Sequence, residues 1–177
     1  MKKSERKVVI SLLLFLASWI IWIHFSGHIA LSVFVKNEWI SGASVAFISL
    51  MLSGAILYFA KRSGRVTLDN WKAFGKGFLG LAVMSGVTLW NAPEVFVYIT
   101  ANDAVNNATT FTITHPGPKT GKHSHCQVGI QYYDDYLNRD VQLCANDGDI
   151  DINAKYIDVQ RKVNRYGANV QNVSFVR

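Results

Sequence analysis

His115, His123, His125 and Cys126 form the densest group of side chains able to do chemistry, because an H-x-H-C run offers the imidazole and thiolate ligands that zinc or copper prefers. The run holds no carboxylate and adjoins the loop-forming stretch PGPKTGK. Its thiolate is also lost if Cys126 is bridged. Exposed loop histidines are the plainer reading, so neither metal nor cofactor is expected, and His123 and His125 stay as weak metal candidates. GPKTGK (117–122) has some likeness to a phosphate-binding loop, but it is one residue short between its glycines and lacks the Ser or Thr that should follow the lysine. NDGDID (146–151) spaces Asp147, Asp149 and Asp151 like part of a calcium loop, yet no bidentate Glu stands at the twelfth position. No G-x-S-x-G elbow, H-E-x-x-H helix or paired catalytic carboxylate occurs, so no enzyme activity is expected.

The cysteines point to different chemistry. Both Cys126 and Cys144 fall in the C-terminal half, in β-prone runs (126–133 and 140–146) around the turn-rich DDYLNR, at equal distances from residue 135. Antiparallel pairing centred there sets them opposite one another and predicts a disulfide, which requires an oxidising compartment.

The elements that position these residues divide the 177-residue chain in two. Residues 1–90 carry ten Lys/Arg against three Asp/Glu, and residues 91–177 carry eight against nine, so the formal net charge of +6 belongs to the N-terminal half. There the basic residues flank apolar stretches. That pattern suits orientation signals and lipid headgroups better than counterion release from phosphates, and nucleic acid is not expected as a partner. Mean hydropathy is +0.15. Residues 8–25 hold no formal charge and are long enough to cross a hydrocarbon core of about 30 Å. Trp19, Trp22 and His24 stand where a signal-peptidase site would need small residues, which predicts an uncleaved anchor. A second span covers 39–60, and a third, 74–92, requires Lys76 to snorkel. Gly42, Ala46, Ser49 and Ser53 share one face of the second span, and Ala82 and Gly86 one face of the third, as small residues do where helices pack in lipid.

Nine Lys/Arg lie before the first span and around the second loop, with only Lys36 in the first loop. The positive-inside rule then puts the N-terminus in the cytoplasm and residues 93–177 outside, in the periplasm of a bacterial inner-membrane protein. The apolar segment 26–35 either prolongs the first helix or lies in the interface.

The outer segment reads as a small α+β domain. Runs 95–100 and 109–114 suggest a hairpin around the turn-forming ANDAVNN. Ile152, Tyr156, Val159, Val163 and Tyr166 recur at helical spacing between Asp151 as N-cap and Gly167 as stop. Val170, Val173 and Phe175 suggest a terminal strand. With no catalytic pattern, recognition of a protein in the inner membrane or periplasm is the expected function. A defence role, phage superinfection exclusion or toxin immunity, is preferred, since a blocker requires only a recognition surface. The alternatives are an accessory subunit of a secretion, transport or envelope complex and a metal-handling periplasmic domain. His115, Lys119, Lys122, His123, Tyr133 and Tyr136, in the loops 114–125 and 134–140 or beside them, are the candidate partner-binding residues.

Overall fold

The computed structural model describes residues 3–36, 42–64, 71–119, 126–145, 148, 150–151 and 153–176. It contains three helical stretches long and apolar enough to cross a membrane: Val9–Ile29, Gly42–Arg62 and Lys72–Thr100. The first belongs to helix α1 (Lys3–Ile29) and the second is α2 (Gly42–Arg62), while the third comprises α3 (Trp71–Leu89) and α4 (Ala92–Thr100). Pro93 explains that break. A proline has no N–H to donate and its ring crowds the carbonyl four residues earlier, which is Leu89, the last residue of α3. The same proline is tolerated in the first turn of α4, where Glu94 complements the helix dipole.

By contacts the chain forms two compact units, Met1–Gly27 with Ile40–Pro93, and His28–Trp39 with Glu94–Arg177. Within the first, α2 buries Val45, Ser49, Ser53 and Leu57, which recur every fourth residue and so share a face. The Ser53 and Ser85 hydroxyl oxygens are 3.2 Å apart, and Ser85 Oγ lies 3.3 Å from the Ser49 carbonyl oxygen. Each of these serines also donates to the carbonyl four residues back, so no hydroxyl faces an apolar medium without a partner. On α1, the Trp19 and Trp22 indole N–H groups donate to the hydroxyl and carbonyl oxygens of Thr88, both at 2.9 Å.

The second unit is built on two antiparallel sheets. One has the order β1 (Val33–Val35), β7 (Gly167–Val176), β6 (Tyr156–Asn164), β2 (Asp103–Thr109), and the other the order β3 (Phe111–Thr114), β4 (Val128–Asp134), β5 (Arg139–Ala145). Thr110 alone separates β2 from β3, so one extended run of chain passes from sheet to sheet. A single core fills the space between them. The smaller sheet and its turn contribute Ile130, Tyr132, Leu137, Val141 and Leu143, and the larger contributes Ile157, Val159, Val163, Ala168 and Val170. Side chains of this kind contribute roughly 1.5–3 kcal/mol each when fully buried.

Four expectations are corrected. Residues 95–100 are helix, not strand: a short apolar run has no decisive period, and Pro93 starts a helical turn immediately before it. The expected turn 101–107 is mostly β2, whose polar residues are tolerated because β2 is an edge strand of its sheet. The expected helix from Asp151 to Gly167 is β6, in which Ile157, Val159, Arg161 and Val163 alternate inward. Segment 26–35 prolongs the first helix as far as Ile29, in keeping with one of its two readings, and then becomes β1, a strand neither reading anticipated.

Gly167 is not a helix stop either. An added Cβ there would lie 2.4 Å from the Phe34 carbonyl oxygen, so β1 can approach β7 only over a glycine. The turn into it is made by Asn164, whose Oδ1 accepts from the Tyr166 and Gly167 N–H groups.

Candidate recognition surface

The smaller sheet carries the disulfide and most of the described candidate residues. Its register pairs Asp134 with Arg139 and Gly129 with Cys144. Cys126 and Cys144 are bridged, with Cα atoms 5.6 Å apart, but they are not directly opposed as the symmetry about residue 135 had suggested. The turn 135–138 displaces the register, and Cys126 lies two residues before β4. There it accepts from the Gly117 N–H at 2.9 Å and donates to the Pro118 carbonyl at 3.0 Å. The bridge therefore ties the loop leaving β3 to the outermost strand of this sheet. Gly129 makes that loop possible, since a Cβ on it would meet Thr114 Oγ1 at 2.5 Å and Pro118 Cδ at 2.7 Å.

Cross-strand partners share a face, so the register sorts the side chains. Ile113, Ile130 and Leu143 fall on the core side with Phe111, Tyr132 and Val141. Thr112, Gln131 and Gln142 fall on the opposite side with Tyr133 and Asp140. Gln142 Nε2 donates to Gln131 Oε1 at 3.3 Å across that outer face. Tyr133 is 47% exposed there, and its hydroxyl donates to Asn138 Oδ1 at 2.5 Å. Asn138 sits at φ 53°, the left-handed conformation that asparagine tolerates, and closes the turn. Among the described residues this face presents amide, hydroxyl and aromatic groups around one carboxylate.

Beneath the turn lies a group that sequence reasoning missed. Asp134 and Arg161 form a buried ion pair between β4 and β6, one from each sheet. Asp134 Oδ1 also accepts the Tyr136 and Leu137 N–H groups at 2.9 and 3.0 Å, holding the first half of the turn. Tyr136 is committed to the same assembly. Its hydroxyl donates to the Asn164 carbonyl at 2.7 Å, and Lys36 Nζ sits 4.0 Å from the centre of its ring. On the core side Tyr132 has a buried hydroxyl with no hydrogen-bond partner among the described residues. Burial raises its phenol above the ordinary range, the negative Asp134 raises it further, and Arg161 acts in the opposite sense.

The candidate residues thus separate. Tyr133 is exposed on the outer face; His115 and Lys119 are exposed in the loop after β3. Tyr136 is half-buried and internally bonded. Lys122, His123 and His125 lie outside the described residues, as do Asp147 and Asp149 of the acidic loop. The Cys126 sulfur is bonded to Cys144 and cannot ligate, and among the described residues no group of three or more His, Cys, Asp or Glu is assembled as a metal site requires.

In the helical unit, Ala46, Ser49, Ala82 and Gly86 line one open groove of about 270 Å³ between α2 and α3, and Ser49 Oγ is 3.8 Å from where a Gly86 Cβ would stand. Ser53 is fully buried on the same contact face. Gly42 has open space around it. Ser85 and Thr88 complete the helix contacts and were not singled out; their spacing to Ser49 and Trp19 is legible only once the helices are paired. No protein-family model matches the chain, and neither does any curated protein or solved structure.

Proposed function

We propose that this chain is a non-enzymatic bacterial inner-membrane protein whose disulfide-bearing C-terminal domain recognises another protein from the periplasmic side. The observation that carries this reading is the outer face of the β3–β4–β5 sheet. Thr112, Gln131, Tyr133, Asp140 and Gln142 stand in register on a rigid, disulfide-tethered support, with exposed His115 and Lys119 on the loop at one end. Tyrosine supplies contact area at small entropic cost and the amide side chains supply adaptable hydrogen bonds, which suits protein recognition. Orientation rests on the Lys/Arg asymmetry about the spans, and the compartment on that asymmetry together with the disulfide. Within this class a defence role, superinfection exclusion or toxin immunity, asks least of the chain, because a blocker needs one recognition surface and no turnover.

Replacing Thr112, Gln131, Tyr133 and Gln142 together by alanine tests the reading. The expected result is loss of protection against phage or toxin with normal membrane abundance and an intact disulfide. Retained protection refutes it. The small-residue groove of Ala46, Ser49, Ala82 and Gly86 favours a second reading, an accessory subunit that docks through its spans. Bulky replacements at Ala46 and Gly86 that abolish activity while the outer-face variant stays active would establish that alternative.

A further inference from the structure

The C-terminal unit has an apolar groove of about 570 Å³ where the two sheets part. Its walls are Ile130, Leu143 and Ala145 from the smaller sheet and Val170, Val173 and Phe175 from β7. The register leaves this place open. β1 pairs with β7 only over residues 167–169, followed by one bond from the Val170 N–H to the Ser32 carbonyl, so along 171–176 β7 has a strand neighbour only on its β6 side among the described residues. β5, on the facing wall, is the last strand of its own sheet.

One end of the groove is formed by His28, Leu31 and Ser32. His28 belongs to the last turn of α1, inside the apolar stretch Val9–Ile29. At 1.5 Å per residue those 21 residues span about 30 Å, the thickness of the hydrocarbon core. Ile29 therefore marks the bilayer boundary, and a groove walled by residues 28 and 31 starts within a few ångströms of it.

We infer that this groove takes one acyl chain of a phospholipid from the adjoining bilayer leaflet, an assignment that rests on the membrane-spanning reading of α1. An acyl chain gains little by exchanging lipid for protein, since both are apolar. The gain comes from the groove, whose half-buried Val173 and Phe175 walls would otherwise meet water. Gln171 and Asn172 at the rim, with Ser32 and His28, offer hydrogen-bonding groups at the level of the ester and headgroup region. Exposed Leu31 adds apolar surface at the same end of the groove. A lipid held here would also steady the residues linking α1 to β1.

The test uses the full chain in phosphatidylethanolamine and phosphatidylglycerol vesicles doped with a phospholipid carrying a photoreactive diazirine midway along one acyl chain. Cross-links are mapped to peptides by mass spectrometry. The expected result is labelling of 143–145 and 170–175 in addition to the spans. Ala145→Trp, which fills the groove, should remove the outer labels and leave those in the spans and the disulfide unchanged. Should that variant not fold, judged by its disulfide and protease resistance, Ser32→Trp at the rim asks the same question. Labelled spans with an unlabelled groove overturn the lipid assignment alone, whether the groove proves to hold a peptide, a second copy or solvent. Outer labels that persist in a folded, filled variant overturn it as well. No labelling anywhere removes the membrane reading and this assignment with it.

Discussion

Replacing Arg161 by methionine isolates what holds the two sheets of the C-terminal unit together. The Arg161 and Asp134 side chains are 4% and 0% exposed, so neither is solvated and the pair is not a surface contact that salt would screen. Methionine keeps most of the apolar stem and removes the charge, leaving the buried Asp134 carboxylate with the Tyr136 and Leu137 N–H groups but without its guanidinium. Breaking such a pair costs about 3–5 kcal/mol. A domain of roughly 85 residues has about 4–13 kcal/mol in all at typical stability per residue. The substitution thus removes a large fraction of it, equivalent to a fall of at least about 12 °C in Tm at this size. Amide hydrogen exchange in β6 and β7, on the purified full chain with its disulfide intact, measures the opening free energy directly. Adding Asp134→Asn to Arg161→Met should restore most of the loss, because asparagine keeps the oxygen that caps the turn and no charge remains buried. The reasoning is refuted if Arg161→Met costs less than about 1 kcal/mol, the range of an exposed pair, or if the double variant is no better than the single.

Gly167→Ala should detach β1, since the Cβ would collide with the Phe34 carbonyl; exchange at the Lys36 and Val170 amides, which donate to the Tyr166 and Ser32 carbonyls, should rise while β4 and β5 stay protected. Tyr132→Phe removes a buried hydroxyl without a partner and should leave the domain unchanged or stabilise it by about 1 kcal/mol, read by the same exchange measurement. In the native chain an absorbance titration should show one tyrosine still protonated above the ordinary value near 10; because the unfolded phenol ionises there and the folded one does not, stability contributed by Tyr132 is intact below that pH and declines as pH rises past it. Ser53→Leu should separate α2 from α3, seen as lost cysteine cross-linking between introduced pairs at positions 49 and 86, because a branched chain cannot fit where the Ser53 and Ser85 oxygens are 3.2 Å apart.

What could be read from the sequence follows from how locally each feature is encoded. The three apolar stretches and the β4–β5 hairpin are written in contiguous residues, and hydropathy or a turn flanked by β-branched runs reveals them. β6 was hidden by Arg161. A charge at an inward position breaks the period-two pattern, and the remaining Tyr156, Val159, Val163 and Tyr166 then fall at helical spacing. The arginine is tolerated inside only because Asp134 meets it, 27 residues away in sequence, and no local pattern contains that fact. β1 is similar: three residues suffice for it because β7 supplies the edge. Among the candidate recognition residues, Tyr133 and Tyr136 looked equivalent in sequence. Strand alternation turns the first outward, and the carbonyl of Asn164 claims the second.

The pairing of Val33 with Asn169 sets an order of events during biosynthesis. β1 lies between α1 and α2 in the chain, whereas its partner β7 comes after every other described element. Until β7 has been made, β1 has no edge to join, and Val33, buried in the finished protein, stays uncovered. A chain that lacks β7 therefore leaves β1 without its partner strand, although every residue of β1 is present.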